Sequence, residues 1–79
     1  MMNVTYGMTE EVYSLGAERR VSYGIAAYAD AEDGTATIVA SVHDVTADRQ
    51  ALSKLVETCN RLGLSLLHLN DVVEDFLVG

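Results

Sequence analysis

The sequence predicts an α+β domain in which a three-stranded antiparallel meander is followed by two helices. Three observations lead to this prediction. Apolar residues alternate with polar or small ones along much of the first half of the chain, as they do in strands. An Asp33-Gly34 pair between two of these stretches is typical of a hairpin turn. In the second half, apolar residues recur every three or four positions, as they do on one face of a helix.

The first predicted strand begins with an alternation that places four residues on one face: Met2, Val4, Tyr6 and Met8. Further along, Tyr13 and Leu15 have the opposite parity. Because a shift of one residue moves every side chain to the other face, we expect a bulge or break near residues 9–11. A turn is predicted at residues 16–19.

The second and third strands are predicted at residues 20–30 and 35–42. A four-residue loop at residues 31–34 would pair Asp30 with Thr35. The same register brings together apolar residues of one face: Ala27 with Ile38, Ile25 with Ala40, and Tyr23 with Val42. One apolar face is thereby predicted to receive the helices.

The opposite face of this sheet is predicted to carry few charges and to include Tyr28, Thr37 and Val39. We expect a second copy of the chain, or the last helix, to cover it. The alternative is an ordinary exposed sheet face that is rich in threonine and serine, and the sequence leaves both readings open.

The first helix is predicted within residues 46–63, where the apolar residues have helical spacing: Leu52, Leu55, Val56, Cys59 and Leu62. Thr46 is the predicted N-cap, and Asp48 and Arg61 suit the two ends of the helix dipole. Gly63 can adopt the left-handed conformation that ends a helix. We expect Cys59 to be buried as a small hydrophobic residue.

A second helix is predicted over residues 69–78, preceded by a turn. Its apolar positions again have helical spacing: Leu69, Val72, Val73, Phe76 and Leu77.

Length and charge narrow the classes of function. The 79 residues predict a single domain spanning residues 1–79, whose small core favours self-association. Twelve acidic residues oppose five Lys and Arg, giving a net charge of −7, and only Arg19 and Arg20 are adjacent cations. This balance argues against nucleic-acid binding, which needs a basic surface. Without a leader-like or membrane-spanning apolar run, we expect a cytoplasmic protein that does not bind membranes.

Three segments resemble a small clostridial (Firmicutes) family of unknown function: the Tyr23-Gly24-Ile25 stretch, Asp44 before the helix, and a closing His-Leu-x-Asp-Val-Val-Glu-Asp-Phe motif at residues 68–76. The resemblance covers most of the chain from Val21 onward. It implies a compact bacterial cytoplasmic protein and carries no activity with it.

The closing motif also contains the residues best suited to chemistry. His68, Asp71 and Asp75 are spaced i, i+3 and i+7, and a continuous helix would align them as metal ligands or acid–base groups. His43 could add a further ligand. The alternative is that Asp71, Glu74 and Asp75 complement the helix N-terminus and form its solvated face.

These observations favour a non-catalytic protein-interaction or regulatory module that self-associates and needs no cofactor. The surfaces we expect to interact comprise Tyr28, Thr37 and Val39 on the sheet, and Asp71, Glu74 and Asp75 on the last helix. A protein partner would bind there. The alternative hypothesis is a metal-dependent enzyme or metal sensor that uses His68, Asp71 and Asp75.

Overall fold

A computed structural model describes residues 4–79. Strand β1 covers Val4–Leu15, β2 covers Glu18–Asp30 and β3 covers Ala36–Thr46. Helix α1 covers Arg49–Leu62, and helix α2 covers Leu69–Val78 after a short 3-10 turn at Leu66–His68. The strands form one antiparallel sheet in the order β1-β2-β3. The predicted meander followed by two helices is confirmed, and α2 has the predicted bounds.

Strand β1 is regular along its whole length, so the bulge predicted near residues 9–11 is wrong. Every residue from Val4 to Leu15 pairs with β2 in a single register. Residues 12–15 of β1 are exposed, so the helices do not require apolar side chains on one particular face there. There Tyr13 and Leu15 lie on the sheet face opposite Tyr6, and neither of them is buried. The predicted strand start at Met2 lies outside the described residues.

The register predicted between β2 and β3 is also wrong. The loop contains five residues, 31–35, so Asp30 pairs with Ala36 and Ala27 with Ala40. Val39 is an extra residue in β3, between the pairs Ala27↔Ala40 and Tyr28↔Ile38. This bulge reverses the parity of the start of β3. Ile38 therefore shares the face of Tyr28 rather than the core face and is 57% exposed.

A second irregularity in β3 lies opposite Gly24. The pairs Ile25↔Val42 and Tyr23↔Thr46 enclose one residue of β2 but three residues of β3. Asp44, in the middle of these three, has a left-handed backbone with φ of 54°. A Cβ atom on Gly24 would lie 2.5 Å from the Val42 carbonyl oxygen, so only glycine permits this close approach.

Helix α1 is capped by Asp48, not by the predicted Thr46. The Asp48 side chain accepts a hydrogen bond from the Ala51 N–H at 3.1 Å. Thr46 instead accepts from the Asp48 N–H. At the other end, Gly63 has the predicted left-handed conformation, with φ of 62°.

Both helices pack on one face of the sheet, which we call the inner face. The buried residues form one cluster: Tyr6, Ile25, Ala27, Val45, Leu52, Cys59, Leu69 and Val73. Cys59 is buried as predicted, and its burial raises the pKa of the thiol. Leu62 was predicted to join this cluster but is 70% exposed. Within residues 4–79, neither helix is long and apolar enough to cross a bilayer.

Candidate interaction surfaces

The sheet face opposite the helices, the outer face, carries part of the surface predicted from the sequence. The Tyr28 ring lies over Gly7, where a Cβ atom would be 3.1 Å from Cε2 of the ring. Ile38 pairs with Tyr28 and therefore lies on the outer face. Thr37 pairs with Ala29, whose side chain belongs to the inner face, so Ile38 takes the place that was predicted for Thr37. Val39 lies at the bulge and is 41% exposed. Since α2 packs on the inner face, it does not cover this surface.

The acidic residues of α2 form the second predicted surface. Asp71, Glu74 and Asp75 are all exposed, and Asp71 lies in the first turn of the helix. Val73 faces the core from the same helix. The position of Asp71 agrees with the helix-dipole reading of these residues, because negative charge is favoured near a helix N-terminus.

The predicted metal ligands are only partly brought together. Nδ1 of His68 lies 4.0 Å from a carboxylate oxygen of Asp71, and both side chains are largely exposed. His43 is instead paired with Glu11 on the outer face. Among residues 4–79, no three His, Cys, Asp or Glu side chains form a group that could hold a metal ion. The geometry therefore adds no third ligand to the pair.

A polar network that the sequence did not predict crosses the outer face from β1 to β3. Nδ1 of His43 lies 2.5 Å from Oε1 of Glu11, and Nε2 lies 3.2 Å from Oγ of Ser41. The Tyr13 hydroxyl donates to the other Glu11 oxygen at 2.8 Å. The hydrogen bonds from Tyr13 and His43 lower the pKa of the Glu11 carboxyl group, so it is ionised at neutral pH.

The small residues of β2 make this network possible. Glu11 and His43 belong to strands on opposite sides of β2, and they meet above Ser22 and Gly24. Ser22 is itself buried and donates a hydrogen bond to Asp44. The network thereby connects the irregular part of β3 to both other strands.

Ser41, His43 and Glu11 are linked in the order serine, imidazole and carboxylate, which is the order of a hydrolase catalytic triad. In a hydrolase this triad works inside a site that excludes water and stabilises an oxyanion. The His43 side chain is 64% exposed, so solvent screens the charges of the network. We therefore interpret the network as a structural connection between strands rather than as a catalytic centre.

An open groove of about 390 Å³ lies next to this network, at the end of the sheet that contains the β1–β2 turn. Its walls come from all three strands and from the residue after β3: Tyr13, Leu15, Arg20, Val21, Ser22, Asp44 and Ala47. The groove combines apolar walls with one cation and one carboxylate.

Asn60 has a structural role that the sequence pattern did not reveal. Its side-chain amide accepts from the Tyr6 N–H at 2.7 Å and donates to the Tyr6 carbonyl at 2.8 Å. These are the two hydrogen bonds that a neighbouring strand would make. The Tyr6 hydroxyl donates to the Leu64 carbonyl at 2.7 Å. Because 54 positions separate Asn60 from Tyr6, no local pattern indicates the pairing.

The chain belongs to a family of unknown function, DUF6514, whose family model matches residues 1–79. This match confirms that the chain is part of an uncharacterised family, while the clostridial origin and the closing motif stay predictions. No curated protein and no solved structure matches the chain.

Proposed function

We propose that this member of the DUF6514 family is a non-catalytic protein-interaction or regulatory module that self-associates in the cytoplasm and acts as one domain. The observation that supports this proposal is the one-sided cover of the sheet. Both helices pack on the inner face around Tyr6 and Ile25, and the outer face has no covering element within residues 4–79. The exposed apolar residues Ile38 and Val39 lie on or beside that outer face.

The size of the core supports self-association. Ile25 and Leu52 are the largest fully buried side chains among the described residues. A domain of this size gains about 3–5 kcal/mol from its core, so contact with a second copy would stabilise it substantially. The end of the sheet that contains the β1–β2 turn is uncovered on both faces, since Val12 and Leu15 are exposed there.

We propose that a protein partner contacts the part of the sheet next to the β2–β3 loop, at Tyr28 and Val39 and, in the observed register, at Ile38. Thr37 was predicted for the same surface, but it pairs with Ala29 and has the parity of the inner face. Asp71, Glu74 and Asp75 would contact a basic partner from α2, and such contacts weaken as salt is added.

Light scattering after size exclusion, over a concentration series, tests the self-association. We expect the mass to shift from that of the 8.5 kDa chain to twice that value as concentration rises. A monomer at every concentration would contradict the proposal.

The partner surface is tested by capture from a native lysate with matched variants. Val39→Lys is expected to lose partners that the wild type captures. Leu62→Lys is the control, because Leu62 is 70% exposed at the end of α1, outside both proposed surfaces. Equal capture by both variants would contradict a role for Val39.

A further inference from the structure

We propose that two copies associate by pairing the edges of their β1 strands antiparallel, with Val12 on the two-fold axis. The two three-stranded sheets would then form one continuous six-stranded sheet. This inference rests on the proposed self-association and specifies its geometry.

The free edge of β1 is identified by the hydrogen bonds of Tyr6. Its N–H and C=O point away from β2, because both bond to Asn60. In a regular antiparallel strand, alternate residues point these groups to the same side. The other even-numbered residues therefore present theirs to the same edge: Met8, Glu10, Val12 and Ser14. Within residues 4–79, no hydrogen bond satisfies these groups, and such a row is a template for a further strand.

The two edges of the sheet differ in their ability to accept a strand. Strand β3 is irregular at Val39 and again around Asp44, where the backbone is left-handed. Irregularities of this kind protect an edge from pairing. Strand β1 has a single register and contains no proline, lysine or arginine. A second copy would therefore pair along β1.

Asn60 limits the register of the pairing. It occupies the position opposite Tyr6, where an added strand would otherwise run. A pairing centred on Val12 places the turn residue Gly16 of one copy opposite Met8 of the other, just clear of Asn60. A pairing centred on Glu11 would bring Gly16 opposite Tyr6, into the position of Asn60. The opposite shift, centred on Tyr13, would shorten the paired segment from residues 9–15 to residues 11–15.

Charge selects the same register. A pairing centred on Glu11 would place two Glu11 carboxylates directly opposite each other, and one centred on Glu10 would do the same with Glu10. Like charges in opposed positions destabilise a sheet. Centring on Val12 places Glu10 opposite Ser14 and Glu11 opposite Tyr13. Within one chain the Tyr13 hydroxyl already donates to Glu11 at 2.8 Å, so the two side chains are chemically complementary.

Matched lysine variants test this geometry by sedimentation equilibrium. Val12→Lys would place two ammonium groups on the axis and is expected to weaken dimerisation about tenfold or more. Val21→Lys is the control, because Val21 pairs with Val12 but lies on the central strand. Circular dichroism of each variant checks that the fold is retained. A dimer that both variants weaken equally would overturn the inference.

Cysteine variants provide a second readout, in a Cys59→Ala background that removes the native thiol. Val12→Cys is expected to form an inter-copy disulfide, because residues that exchange hydrogen bonds across a ladder have Cα atoms about 5.5 Å apart. Val21→Cys is expected to remain reduced, since two intervening strands hold its copies about 14 Å apart.

The outcomes separate the two proposals. If the wild type is monomeric at every concentration, the self-association and the edge pairing both fail. If the wild type is dimeric but only Val21→Cys crosslinks, self-association holds and the edge pairing is overturned.

Discussion

Tyr6 and Tyr13 lie toward opposite ends of β1, and their contacts differ. The comparison shows that the two ends of the sheet are stabilised in different ways. Tyr6 is 3% exposed, and its hydroxyl donates to the Leu64 carbonyl. Tyr13 is 37% exposed and donates to the neighbouring Glu11. At Tyr6 the sheet is bonded to the helical half of the chain, whereas at Tyr13 its contacts are strand pairing and side chains of the sheet itself. We therefore expect more of the stability of the monomer to come from the helix-covered end than from the end with the β1–β2 turn.

The largest expected loss of unfolding free energy comes from removing a core side chain at the helix-covered end. Ile25→Ala is expected to cost about 2–5 kcal/mol, because it leaves a cavity under both helices. That cost is comparable to the total stability expected of a domain of this size. Val21→Ala, four residues earlier on the same face of β2, is expected to cost about 0.5 kcal/mol or less, because Val21 is exposed. Urea denaturation measures both, and equal losses would contradict the contrast.

Asn60→Ala probes the connection between α1 and the β1 edge. It removes both hydrogen bonds to the Tyr6 backbone, and we expect a loss of about 1–2 kcal/mol. Glu57→Ala is the matched control, since Glu57 is exposed on the same helix. Thermal denaturation compares them. A result in which the two variants melt together would show that the bonds to Tyr6 do not stabilise the fold.

Phenylalanine variants of the two tyrosines sharpen the comparison. Tyr6→Phe leaves the Leu64 carbonyl without its donor and is expected to cost about 1–2 kcal/mol. Tyr13→Phe is expected to lower the melting temperature much less than Tyr6→Phe does, because its hydroxyl bonds Glu11 on an exposed part of the sheet.

Alkaline titration separates the causes of the raised pKa values of Tyr6 and Tyr13. Burial is the main cause for Tyr6, and the hydrogen bond to Glu11 is the main cause for Tyr13. Both pKa values exceed 10.0 in the folded protein, so the stability they contribute is complete below pH 10 and is lost as pH rises further. Tyrosinate absorbance of Glu11→Gln should show one phenol titrating at lower pH than in the wild type.

The smallest expected effect concerns Glu11 at acid pH. Its pKa is lowered below 4.5 in the folded protein, mainly by the Tyr13 hydroxyl and then by His43. The stability that this pair of bonds contributes is therefore present above pH 4.5 and is lost as pH falls below it. The melting temperature of Glu11→Gln should depend less on pH in this range than that of the wild type. Identical profiles would show that the network is not coupled to folding.

Local patterns predicted most of the secondary structure. The alternation of apolar residues identified all three strands, and helical spacing identified α1 and the bounds of α2. Gly63 ended α1 as predicted, because glycine can adopt the left-handed conformation of a helix end without a steric cost. Asp48 replaced Thr46 as the N-cap because α1 begins two residues later than that cap requires.

The register and the surfaces were predicted less well. The sequence pattern favoured Ile38 in the core, but the bulge at Val39 moves it to the outer face. Thr37 consequently leaves the predicted interaction surface while Tyr28 remains on it. The roles of these residues, and of Asp71, Glu74 and Asp75, stay predictions.

By itself, the sequence determined which segments become strands and helices, because those features depend on neighbours within a few positions. Only the tertiary structure decided that β3 bends over Gly24, that Glu11 reaches His43, and that Asn60 takes the place of a strand beside Tyr6. Each of these contacts joins residues at least 18 positions apart. They form only once strands and helices are packed, so no local residue pattern encodes them.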